Sequence, residues 1–115
     1  MLAQELTIYQ DTEKLVILLI AVQKQMNRSL KHSIGDRMIG KSFDLFTHIY
    51  KINRETEAKR KVYHIEQFLY DFEIVKTAIR ILEETREIST KTASRIAVLT
   101  NSIGKQANGW KRATS

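Results

Sequence analysis

The chain has 115 residues, 43% of them hydrophobic and 28% charged, which suits one globular domain with a modest core. It contains no cysteine, which removes disulfides and thiolate metal sites. The net charge is +6 and unevenly placed, with +5 on residues 86–115 and −2 on residues 61–85. Such an excess points to an anionic partner, nucleic acid ahead of membrane, or to a merely solubilising surface.

The longest apolar run, residues 15–22, is far short of the ~20 residues a membrane span needs. Residues 1–10 lack the basic-then-apolar order of a signal peptide. A cytoplasmic protein of bacterial or phage origin, with no membrane partner, is expected.

Proline is absent and only four glycines occur, so little interrupts helix along the chain. The first helix is expected over about 8–29, with Thr7 and Gln10 at capping-box spacing. Residues 15–22 are apolar on every face, which calls for cover on two sides. Either another subunit meets this helix, through Leu15, Leu18, Leu19 and Val22, or it is the central core helix of a monomer. The second helix, about 34–53, carries the inner stripe Met38, Ser42, Leu45, Phe46, Ile49 and Asn53. The third, about 58–85, carries Val62, Ile65, Phe68, Leu69, Phe72, Val75, Ile79 and Leu82. The fourth, about 90–107, is capped by Ser89, faces inward through Ala93, Ile96, Leu99 and Ile103, and stops at Asn108-Gly109. A short basic tail follows from about residue 108. Short connections predict an all-α, antiparallel four-helix bundle in a single domain, 1–115.

Nothing in the chain argues for catalysis. His32, His48 and His64 lack metal-ligand spacing and read as surface residues, with no metal or other cofactor implied. No glycine-rich phosphate loop or nucleophile elbow occurs. Glu83 and Glu84 are neighbours about 100° apart on a helix and cannot face each other across a substrate.

The cations are better organised. Arg37, Lys41, Asp44, His48 and Lys51 share one face of the second helix. Lys91, Arg95, Val98, Ser102 and Lys105 share one face of the fourth, with Lys111 and Arg112 beyond. Lys51, Arg54, Lys59, Arg60 and Lys61 cluster between the second and third helices, interrupted by Glu55 and Glu57. Continuous cationic faces suit a phosphate backbone without sequence readout, and an ordinary solvated face is the alternative. The expected nucleic-acid-binding residues are Arg37, Lys41, Lys51, Arg54, Lys91, Arg95, Lys105, Lys111 and Arg112. Phe46, Phe68 and Phe72 read as core. Tyr50 and Tyr63 lie near the basic junction and could stack on a base, but charge and shape are the expected mode.

Four strings occur in order along the chain: Glu5-Leu-Thr-Ile-Tyr9, Ile49-Tyr-Lys-Ile-Asn-Arg54, Phe68-Leu-Tyr-Asp-Phe-Glu-Ile-Val75 and Ile103-Gly-Lys-Gln-Ala-Asn-Gly-Trp-Lys111. Together they resemble the accessory variability determinant proteins of diversity-generating retroelements, relatives of the four-helix-bundle proteins of ribosomal intervening sequences. The last string is similar to that family's Ile-Gly-Arg … Gly-Gly-Trp ending, with Asn108 in place of the first glycine of the final pair. Residues 27–33 lack the proline common in the family's first loop. The resemblance implies a four-helix bundle assembled as a homopentameric barrel with a basic exterior. It implies binding to template RNA or cDNA and to the element's reverse transcriptase, in support of mutagenic copying that diversifies a target gene. The accessory protein is not the catalyst. Arg54, Lys105 and Trp110 are the matched positions for shared roles. A non-enzymatic helical-bundle interaction module of the intervening-sequence type is the alternative function. Gly104, late in its helix, is expected to allow the close approach of another helix.

Overall fold

The computed structural model describes residues 1–114. Four long helices and no strands are found among them: α1 (Thr7–Lys24), α2 (Asp36–Arg54), α3 (Ala58–Glu84) and α4 (Thr90–Thr114). Each helix packs on two others, in the ring α1–α2–α3–α4–α1, so α1 and α3 stand at diagonal corners. The molecule measures 44 × 23 × 22 Å, about the ~40 Å that the 27 residues of α3 rise. The alternating direction is fixed by contacts at both ends. Asn53 at the end of α2 donates to the Met1 carbonyl at 3.0 Å, while the Asn27 amide, after α1, meets the Glu87 carboxylate beyond α3.

Helix periodicity explains the core. Leu15, Leu19, Met38, Leu45, Ile49, Ile65, Phe68, Val75, Leu82, Ile96 and Ile103 are fully or almost fully buried, and Phe68 and Phe72 stack obliquely with ring centroids 5.9 Å apart. The stripe of α2 drifts from the expected Asn53, which is half-buried, to Ile52, which is buried. Phe46 is likewise half-buried and packs on Tyr9 of α1 at 4.9 Å.

The helix ends differ from expectation in four places. Thr7 is the first residue of α1 and makes no cap; Leu6 precedes the helix without a side-chain hydrogen bond. A short 3-10 turn, Ala3–Glu5, leads into it. α1 ends at Lys24 rather than near residue 29, because Asn27 starts a new turn by accepting a bond from the Ser29 amide at 2.9 Å. That turn, Arg28–Leu30, passes through a π segment, Lys31–Gly35, into α2. The Gln23 side chain braces this wider turn, donating to the Lys31 carbonyl at 3.1 Å and to Asp36 at 2.7 Å.

α3 ends on Arg86 in the left-handed region, φ 64°. The Arg86 amide donates to the Glu83 carbonyl and the Glu87 amide to the Leu82 carbonyl, at 3.0 and 2.8 Å. This is the paired closure that usually recruits glycine at that position. Ser89 caps α4 as expected, its hydroxyl accepting from the Thr92 amide at 3.2 Å. Asn108-Gly109, however, does not stop the helix. Gly109 has no positive φ, Asn108 donates back to the Gly104 carbonyl at 2.9 Å, and Trp110 packs against the core. The expected tail from residue 108 is therefore helical through Thr114, and Ser115 lies outside the described residues.

Residues 15–22 are also corrected. Leu15 and Leu19 are fully buried, Val22 is buried and Leu18 is half-buried, all within the protomer's own core. Leu15, Leu19 and Val22 thus face inward, while Leu18 still borders an open hollow beside α4. The outward side of the same helix is Ile17, Ile20 and Ala21, offset from them by roughly half a turn.

Candidate nucleic-acid interface

The antiparallel order gathers cations at one end of the bundle. The last turn of α2 carries Lys51 and Arg54, the last turn of α4 carries Lys111 and Arg112, and α3 begins with Lys59, Arg60 and Lys61. Two helix C-termini lie here, and their partial negative charge favours cations in the last turn. That electrostatic need accounts for part of the cluster without any ligand. Three acids, Glu5, Glu55 and Glu57, also lie at this end. Glu57 pairs with Arg60 at 3.3 Å, and Glu55 accepts from the Glu57 amide at 3.1 Å. Arg54 donates to the Tyr50 hydroxyl at 3.0 Å and lies 5.3 Å from the centre of its ring, and Tyr50 is half exposed. Lys51, Arg54, Lys105 and Arg112 are exposed.

The expected α2 stripe is broken in its middle. Lys41 approaches Asp71 of α3 at 3.3 Å and Asp44 at 4.0 Å, and His48 meets Asp71 at 2.7 Å. His48 is not the surface residue its spacing suggested; its side chain is 16% exposed, the same as Asp71. Lys41 is thus tied to an inter-helix ion cluster, leaving Arg37 at one end of the stripe and Lys51 at the other.

The α4 stripe has no acid of its own, yet the fold supplies one. Asp11 of α1 accepts bonds from Ser102 and Gln106 at 2.8 and 2.9 Å, placing a carboxylate beside Lys105 in sequence register. Val98, in the same stripe, is 69% exposed. Arg95 lines a hollow with Lys14, Ile17, Leu18, Ala21 and Leu99 rather than an open cationic face. The nine expected binding residues therefore fall into separate groups. Lys51, Arg54, Lys105, Lys111 and Arg112 lie toward one end, Arg37, Lys91 and Arg95 toward the other, and Lys41 is paired between them.

Sequence spacing could not see Asp11 or Asp71, because each reaches the stripe from a neighbouring helix. Among the described residues no group of His, Asp and Glu side chains is arranged to hold a metal ion. No helix among them is long and apolar enough to cross a membrane.

The fold and its charged end define a small, basic, helical-bundle protein. Residues 6–114 match the bAvd-like family, and the chain belongs to that family, the accessory variability determinants of diversity-generating retroelements. Comparison with curated proteins and with solved structures gave no match.

Proposed function

We propose that the protein is a non-catalytic accessory subunit of a retroelement reverse transcriptase. It binds template RNA or its cDNA copy, assembles with itself as a pentamer on the family's pattern, and supports mutagenic copying. The observation that carries this reading is the family match over almost the whole chain. The physical support is the cationic end, to which Lys51 and Arg54 of α2 and Lys105, Lys111 and Arg112 of α4 all contribute. Such a surface binds phosphates by displacing condensed counterions and needs no base-specific contact. Arg37, Lys41, Lys91 and Arg95 have a lesser part in it, since they lie away from that end or are engaged in other contacts.

Charge reversal at two exposed positions, Lys105→Glu with Arg112→Glu, tests the assignment. Affinity for structured RNA should fall at least tenfold at moderate salt, and the slope of log affinity against log salt should become shallower by about 2. Helicity by circular dichroism should not change. Binding and slope equal to the unaltered protein would overturn the assignment. The partnership is tested separately, by cDNA synthesis from the element's template with reverse transcriptase alone and with this protein added. Stimulation by a protein that binds no nucleic acid would favour the interaction-module alternative instead.

A further inference from the structure

We infer that a second copy of this chain seats the outer ridge of its α3 in the hollow between α1 and α4, head to tail. The inference deepens the self-assembly proposed above and rests on it.

The hollow is apolar at its floor and cationic at its rim. Ile17 is 65% exposed and Val98 69%, with Ile20 and Ala21 beside them. A depression of about 490 Å³ lies here, lined by Lys14, Ile17, Leu18, Ala21, Arg95 and Leu99, and an adjoining one adds Ile20 and Lys24. No carboxylate lines either depression, although Glu87 lines a further one that shares Leu18, Ala21 and Arg95, and exposed Glu13 lies one turn before Ile17. Grouped apolar side chains of this size mark a contact surface rather than scattered exposure.

The ridge has the opposite character. Glu66, Tyr70, Glu73, Thr77, Ile81 and Glu84 follow one another at steps of three and four on α3 and share its outer face. Tyr70 is 72% exposed, Ile81 41%, and Ile74 beside them 40%. Three carboxylates flank these apolar groups against one exposed cation, Arg80, which donates to Thr77 at 3.5 Å, and Glu73 also meets Lys76 at 3.0 Å.

Charge decides the pairing. Hollow against hollow would oppose Lys14, Lys24 and Arg95 to their own copies, and ridge against ridge would oppose Glu66, Glu73 and Glu84 to theirs. The crossed arrangement sets the face of net positive charge against the face of net negative charge around a shared apolar strip, with Glu13 on the first and Arg80 on the second carrying the minority sign. α1 and α3 occupy diagonal corners, so one protomer can offer both surfaces at once. A contact between two different patches is heterologous and propagates, as a closed ring where its rotation closes and as an open filament where it does not.

The absence of cysteine makes the test direct. Ile17→Cys and Tyr70→Cys place single thiols on the two exposed faces, and a short bis-maleimide joins thiols that meet. Mixed variants should give a cross-linked 1:1 dimer, while each variant alone stays uncross-linked. The variant carrying both substitutions should give a ladder of covalent multimers. If the unaltered protein assembles but links form within each single variant and not across the mixture, the head-to-tail assignment is overturned. If light scattering shows the unaltered protein as a 13.4 kDa monomer at micromolar concentration, self-assembly itself falls and this inference with it.

Discussion

At the scale of single residues, two glycines exchange the roles that sequence reasoning gives them. Gly104 sits late in α4, where close helix approach was the expected reason for it. A Cβ there would meet only Phe72, at 3.6 Å, an ordinary contact. Gly35 is the constrained one. Its Cβ would lie 3.2 Å from the Gln23 amide nitrogen and 3.3 Å from the Leu30 carbonyl oxygen, and that carbonyl belongs to the backbone of the turn. Gly104→Ala should therefore stabilise the protein by up to ~1 kcal/mol through helix propensity, whereas Gly35→Ala should cost about 1–3 kcal/mol as overpacking. Urea unfolding of the two variants measures both, and a loss at Gly104 as large as that at Gly35 would contradict the geometry. Arg86 carries the same lesson in reverse: the positive φ that favours glycine is met by a charged residue, because two backbone bonds and the buried Ile88 hold the turn.

At the scale of helices, the α2–α3 contact joins stability to surface charge. Asp71 is mostly buried and accepts from His48 and Lys41 across the interface. Asp71→Asn keeps the shape and removes the charge. It should cost about 1–2 kcal/mol, since a charge-assisted bond becomes a neutral one. The Lys41 share of that cost is small because its side chain is 41% exposed and solvent screens it. The same substitution releases Lys41 from one of its two acidic partners, leaving Asp44 at 4.0 Å, and raises the positive charge of the α2 face. Nucleic-acid affinity should then rise at low salt and converge with that of the unaltered protein at high salt. An affinity unchanged at low salt would mean that the α2 face lies outside the binding surface. Chemical unfolding and filter binding on one preparation separate the two effects.

At the scale of the whole molecule, the bundle is complete in its core and incomplete at its surface. Leu15, Leu19 and Val22 are covered by the protomer itself, while Ile17 and Val98 on the α1–α4 face and Tyr70 on α3 remain largely exposed. If copies cover these faces, assembly stabilises the folded state by mass action. The thermal midpoint should rise with protein concentration over the micromolar range, and Ile17→Asp should abolish that dependence while leaving the low-concentration midpoint close to its original value. A midpoint independent of concentration, in a protein that light scattering shows to assemble, would place the contact on other residues.

The number and order of the helices were legible in the chain, because apolar residues at three- and four-residue steps have few other ways to be buried. α3 was read to within one residue of its end, and α4 began where Ser89 caps it. The family was legible in the four ordered strings, the last running from Ile103 to Lys111. The cations on α2 and α4 were also visible, since helical spacing alone puts them on common faces. Their surroundings were not. Asp11 and Asp71 arrive from other helices, 91 residues from Ser102 and 23 from His48, and no local pattern carries that information. The outward side of α1 was equally hidden: a segment apolar all round gives no preferred face, and only packing against α2 and α4 decides that Leu15 and Leu19 turn inward and Ile17 outward. Periodicity determined the helices of this protein; tertiary structure decided which of their charges remain available and which apolar side chains still lack cover.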